Sequence, residues 1–235
     1  MSQEPIYLLL ILALAPPLVL LYRVYKLDKI EKEPPKLIAK LFLFGVLSTI
    51  PAAFAENFLI NGLVRVMSPY SYAFIFVENF FCVALVEELV KYVGLKLGSW
   101  KHPAFDYCFD GVVYAVTTSL GFAALENVLY VLQYGVSNAL TRAVLSIPGH
   151  CIFGIFMGYY YGMAKYGAVH GFTAKSKQFL RLAIIVPMTL HGIYDFCLST
   201  GSDIFIYIFL AYVVVLDIFA IRSIRKFSKS DTRLM

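Results

Sequence analysis

Seven runs of roughly twenty apolar residues, at about 5–25, 36–60, 72–97, 107–134, 140–164, 179–199 and 203–222, take up nearly the whole chain. Each has the length of a membrane-crossing helix, and a segment in hydrocarbon has to satisfy its backbone polar groups internally. The composition agrees: 60% of the 235 residues are hydrophobic and 15% charged, with a mean hydropathy of +0.75. Soluble domains hold roughly 45–50% apolar residues, so a soluble globular fold is excluded. The sequence predicts an all-α, polytopic transmembrane helix bundle of about seven spans, multi-pass in the cell membrane with the lipid bilayer as its solvent. Tyr22-Arg23-Val24-Tyr25-Lys26 follows the first run without a small-residue cleavage site, so that run reads as a retained span.

The net charge of +5 is distributed unevenly. Arg23, Lys26, Lys29, Lys32, Lys36 and Lys40, then Lys96 and Lys101, then Lys165, Lys175, Lys177 and Arg181, and finally the tail after Arg222 fall in one set of alternate loops. The other set holds only Arg65 and Arg142. Cytoplasmic loops collect basic residues, so the pattern predicts an N-terminus outside and a C-terminus in the cytoplasm. No aromatic residues interleave the tail's bases, which argues against a nucleic-acid partner. Cys82, Cys108, Cys151 and Cys197 are dispersed without C-x-x-C pairing, so neither a zinc knuckle nor a disulfide framework is expected.

Ionisable residues inside apolar runs cost several kcal/mol and mark functional positions by default. Glu87 and Glu88 stand together in the third run, Glu126 in the fourth, His150 in the fifth, and His191 and Asp195 in the sixth. His102 and His170 fall in hydrophilic loops. Lys91 follows Glu87 at i+4, a pairing that stabilises a helix modestly and accounts for one glutamate but not two. Glu126-Asn127 lies well within its run, whereas Glu56-Asn57 and Glu78-Asn79 read as solvated pairs near the outer ends of spans. Counting 1.5 Å per residue places Glu126 about 10 Å and His191 about 12 Å below the outer ends of their spans, with Asp195 one turn closer to the outside. His150 shares that layer or lies nearer the surface, depending on whether its span begins near Arg142 or at Pro148. Glu87 falls about 22 Å down and fits the layer less well. Asp110-Gly111 reads as a helix start or packing contact.

Carboxylates, imidazoles and an amide in a partly dehydrated cavity can activate a water molecule. One carboxylate serves as general base, and a histidine or asparagine stabilises the oxyanion. The same groups could hold a divalent metal such as zinc, with His150, His191, Glu126 and Asp195 as ligands. The adjacent glutamates tilt the balance slightly towards a metal-free mechanism, and the two remain open. The chain has no H-E-x-x-H, Gly-x-Ser-x-Gly or P-loop motif.

Taken in order, Glu87-Glu88-x-x-Lys91, Asp110-Gly111-x-x-Tyr114, Gly121-Phe122-Ala123-x-x-Glu126-Asn127-x-x-Tyr130, His150 and His191-x-x-x-Asp195 resemble the signatures of the PrsW family of intramembrane proteases. That family is distantly similar to the CAAX-processing endopeptidases and bacteriocin-processing enzymes. The loop Asp28-Lys29-Ile30-Glu31-Lys32-Glu33-Pro34 also has the family's character. The resemblance implies one integral-membrane protease domain over 1–235 with its motif core at about 76–199. It implies site-1 cleavage of a single-pass membrane protein, typically an anti-sigma factor, on the outer side of the membrane. Carried over by position, Glu87, Glu88, Glu126, His150 and His191 would be catalytic, with Lys91, Asn127 and Asp195 in support; the wider superfamily often has asparagine where Asp195 stands. A proton-coupled transporter and a non-catalytic membrane scaffold are the alternative readings, since buried Glu and His chains also form relays. The usual transporter signature, corresponding broken spans in two halves, is not found.

Overall fold

The computed structural model describes residues 5–234; residues 1–4 and 235, which the single-domain reading includes, lie outside the described residues. The chain is helical almost throughout. In order come α1 (Ile6–Leu27), α2 (Pro35–Leu63), α3 (Tyr72–Val77), a π-helical segment (Glu78–Ala84), α4 (Leu85–Ser99), α5 (Asp110–Val144), α6 (Ser146–Val169), α7 (Thr173–Ser199) and α8 (Asp203–Lys229). The expected all-α class holds: the described residues contain one isolated β-bridge, Tyr107 with Arg233.

Five helical stretches among the described residues are long and apolar enough to cross a membrane: Ile6–Leu27, Pro35–Leu63, Asp110–Val169, Thr173–Ser199 and Asp203–Lys229. The difference from seven runs has two physical sources. The helical run Tyr72–Ser99 carries Glu78, Glu87, Glu88, Lys91 and Lys96, which lower its apolarity. The runs at 107–134 and 140–164 merge into a single stretch of 60 residues. That stretch turns back on itself. Gly111 packs against Gly158 and Gly162, Gly154 against Val116, and Ser119 bonds the carbonyl of His150, so α5 and α6 are antiparallel neighbours. The break lies at Gly135, whose φ of 77° is costly for any residue with a side chain. Beyond the break the returning chain is helical again before Ser146, is interrupted at Leu145, and continues as α6 with Pro148 in its first turn.

Small residues set the packing distances, as expected where lipid offers helices little hydrophobic reason to associate. A Cβ on Gly121 would lie 2.1 Å from the carbonyl oxygen of Phe42, and one on Gly162 2.1 Å from that of Cys108. Backbones of α2, α5 and α6 are therefore in direct contact, and the first half of α5 is enclosed from Asp110 to Ala124. Large apolar side chains such as Phe54, Phe58, Leu97 and Ile218 instead face outward on the rim, as lipid-facing positions do. The four cysteines are free; Cys151, despite its neighbour His150, packs in an apolar cluster with Val112 and Ile155.

Candidate active site

α2, α4, α5, α6, α7 and the π segment surround a cavity of about 690 Å³. Its wall carries Glu87, Glu126, His150, His191 and Asp195. Each ionisable residue singled out inside an apolar run therefore reaches this region, including Glu87, whose depth fitted least well. The π segment immediately precedes it. There the Leu85 amide bonds the Phe80 carbonyl, an i→i+5 contact of the kind often found beside functional residues.

Adjacent residues on an α-helix point about 100° apart, so the two glutamates take different surroundings. Glu87 lines the cavity. Glu88 is fully buried behind it. Lys91 lies one turn on, and its ammonium donates to Glu87 Oε2 and Glu88 Oε1, each at 2.9 Å, and to His150 Nδ1 at 3.1 Å. Those three acceptors use all three ammonium protons. The ammonium also sits 4.2 Å from the centroid of the Phe122 ring, a cation–π contact in a fully buried position.

An ammonium can only donate, so His150 Nδ1 accepts and the ring proton belongs on Nε2. From there it donates to Glu126 Oε2 at 3.0 Å. The same carboxylate oxygen accepts from Arg142 Nη2 at 2.6 Å, and Arg142 Nε donates to Asn127 Oδ1 at 2.9 Å. Asn127 in turn donates to the Ala13 carbonyl at 2.8 Å, tying α1 to the assembly from outside the cavity. His191 lies between two acceptors, Glu88 Oε1 at 3.1 Å and Asp195 Oδ2 at 3.0 Å, so both ring nitrogens are satisfied when both carry protons. Phe153 stacks on the His191 ring at a centroid distance of 4.8 Å and fixes its plane. Four carboxylates are thus balanced against Lys91, Arg142 and the His191 imidazolium.

All eight residues named from the sequence belong to this one network, but not in equivalent places. Glu88, Lys91 and Asn127 stand behind the wall. Three residues that sequence reasoning set aside stand on it: Arg142, read as a topology charge, and Glu56 and Glu78, read as solvated. Arg142's signal was its isolation in an otherwise base-poor set of loops, next to an apolar run. Asn79 was missed too; its Oδ1 accepts from Ser199 at 3.0 Å and joins the π segment to the end of α7.

A family model described as PrsW family intramembrane metalloprotease matches residues 33–220. The chain belongs to this family. It is 39% identical over 213 residues to a Protease PrsW of Oceanobacillus iheyensis, which covers 91% of this chain and 93% of that one. It is 34% identical over 213 residues to a Protease PrsW of Bacillus subtilis, covering 91% and 92%. A Protease PrsW of Clostridioides difficile is 34% identical over 212 residues, covering 88% and 86%. No solved structure matches the chain. As a PrsW family member it is an intramembrane protease and a multi-pass protein of the cell membrane.

The family's description implies a metal, and the site can be tested for one. Glu87, Glu88 and His191 each present a donor atom, and these atoms lie within 4.8 Å of one another. Two carboxylates and an imidazole suit a divalent transition ion such as zinc. Glu88 Oε2 is buried without a hydrogen-bond partner, the kind of free donor an ion would take. These residues fit. The set read from the sequence shares only His191 with them, because His150 pairs with Glu126 and His191 Nε2 with Asp195. An ion here would compete with the Lys91 ammonium, which already contacts both glutamates.

Proposed function

We propose that this intramembrane protease makes the first, site-1 cut in a single-pass membrane protein of the anti-sigma-factor kind, close to the outer face of the membrane, using water activated by Glu87. The reading rests above all on the convergence of Glu87, Glu126, His150 and His191 on one cavity of about 690 Å³. Glu88, fully enclosed, acts as the anchor that holds Lys91 and His191. Lys91 grips Glu87 by one oxygen, leaving the carboxylate aimed at the cavity. In the reaction Glu87 takes a proton from water as its oxygen attacks the scissile carbonyl carbon. The His191 cation, steadied by Glu88 and Asp195 and, unlike Lys91, on the cavity wall, offsets the charge of the oxyanion. As the C–N bond breaks, the proton on Glu87 passes to the leaving amine. Were a divalent ion held instead by Glu87, Glu88 and a neutral His191, it would take over the charge of the imidazolium and supply Lewis-acid polarisation of the carbonyl.

The proposed topology has seven crossings within one protease domain, with the start of α1 outside and the tail after α8 in the cytoplasm. It is supported by the alternation of basic loops and by the reversal of the chain between α5 and α6. Single cysteines at positions 202 and 230, in a chain whose four native cysteines are replaced, test it with an impermeant thiol reagent on intact cells. Position 202 is expected to label and position 230 to stay protected; the reverse pattern overturns the topology.

In that orientation the cavity lies towards the outside. His191 is eight residues, about 12 Å, from the outer end of α7 at Ser199, and Glu126 nine residues, about 14 Å, from the Gly135 break. A peptide carbonyl within a helix is shielded by its own hydrogen bonds, so the substrate has to unwind locally before it is cut. Incubation of the purified chain with single-pass substrates, followed by mass spectrometry of the products, is expected to place the cut at or just inside the outer boundary of the substrate's span. A cut on the cytoplasmic side would contradict the proposal.

A further inference from the structure

At the far end of α5 from the cavity, three more carboxylates come together that the proteolytic site does not use. Asp28 caps the end of α1, Glu33 precedes α2 in the linking loop, and Asp110 opens α5. Donor oxygens of the three lie within 4.8 Å of one another, and the residues are exposed to only 2%, 3% and 2%. Among the described residues, no Lys, Arg or His side chain forms an ion pair with any of them. Lys32 is close, but it is exposed, and its ammonium donates to the backbone carbonyls of Asp28 and Tyr25.

The local hydrogen bonds leave this cluster incomplete. Tyr114 donates its hydroxyl to Glu33, and Asp110 Oδ2 accepts the amides of Asp106 at 3.0 Å and Tyr107 at 2.7 Å. Asp28 receives the amides of Ile30 and Glu31, yet its Oδ2 is buried with no partner. A proton shared between Glu33 and Asp110 would reconcile those two groups and still leave that oxygen bare. Burial pushes Asp28 up to about 6, against the pull of the nearby Lys32 charge, and Glu33 up to about 7.

We propose that Asp28, Glu33 and Asp110 form a second, structural site for a hard divalent cation. The donors are all oxygen, the chemistry of Mg²⁺, Ca²⁺ and Mn²⁺ more than of zinc. The site is a point of attachment: the C-terminal tail docks at the same corner, where Asp231 Oδ1 accepts the Phe109 amide at 2.8 Å and the Leu234 amide bonds the Asp106 carbonyl at 2.7 Å. A cation there would fasten the α1–α2 link to the root of α5, the helix that carries Glu126.

Mn²⁺ serves as probe and reporter. Titrated into the detergent-purified full chain and followed by electron paramagnetic resonance, it is expected to bind and to be displaced by millimolar Mg²⁺ or Ca²⁺, with a rise in melting temperature. The bound ion should show no nitrogen coupling, whereas an ion in the Glu87, Glu88 and His191 group would couple to imidazole nitrogen; this separates the two sites without any variant and without reading cleavage. Asp28→Asn is expected to weaken binding by about tenfold or more, since affinity follows ligand charge. No Mn²⁺ binding at millimolar concentration, nitrogen coupling on every bound ion, or unchanged affinity in a folded Asp28→Asn chain would each overturn the proposal.

Discussion

Glu87→Gln is expected to reduce cleavage by about 10²–10⁴-fold while leaving the yield of folded protein near normal. Glutamine keeps the volume, and its amide oxygen can still accept from Lys91 at the position where Oε2 now lies. What it loses is the ability to take a proton from water. Initial rates on a single-pass substrate, measured beside elution profile and helical signal in detergent, separate loss of chemistry from loss of fold. Full activity in a folded Glu87→Gln chain would remove the mechanism. Glu88→Gln is the informative contrast, because Glu88 does not face the cavity: its loss acts through the seating of Lys91 and His191.

Lys91→Met is expected to be among the most destabilising single changes in the molecule. Its ammonium holds both Glu87 and Glu88 at 2.9 Å, closer than the His191 ring does, and it is completely enclosed. Removing one partner of a buried ion pair leaves charge uncompensated and typically costs about 3–5 kcal/mol. The effect should appear as a lowered melting temperature and poor recovery from the membrane. Adding Glu88→Gln to Lys91→Met removes one stranded carboxylate and should restore part of the stability without restoring cleavage. If the double variant is no more stable than the single one, Lys91 acts through its contact with Phe122 and not through the glutamate pair.

The catalytic candidates were legible because charge in an apolar run is expensive wherever it sits. That argument needs no knowledge of neighbours, and it found Glu87, Glu88, Glu126, His150, His191 and Asp195. The helix pitch added Lys91 to the pair. What periodicity cannot supply is the direction in which each side chain points once helices pack, so the division of labour between Glu87 on the wall and Glu88 behind it came only from the fold. Arg142 was hidden by a competing explanation, since a base at a span's end already has a topological meaning. Glu56 and Glu78 were hidden in the same way, by positions that would be wet in an isolated helix but border a shared cavity here. The count of spans also depended on context: Gly135 was visible as a glycine, but only its φ of 77° identifies it as the place where one long apolar stretch reverses. Asp28, Glu33 and Asp110 looked like loop charges and a helix start, because nothing in a linear reading joins positions so far apart.

The π-helical segment from Glu78 to Ala84 has a consequence of an evolutionary kind. An i→i+5 turn holds one residue more than the α-helix around it, as a single-codon insertion would produce. The angle between Asn79, fastened to α7, and Glu87, facing the cavity, is therefore set by the number of residues separating them and not only by which residues they are. Apolar substitutions along Phe80–Val83 leave that count unchanged, whereas loss of one codon there would swing the glutamate pair away from its partners. Relatives that conserve the glutamates should accordingly conserve the length of this segment more strictly than its composition.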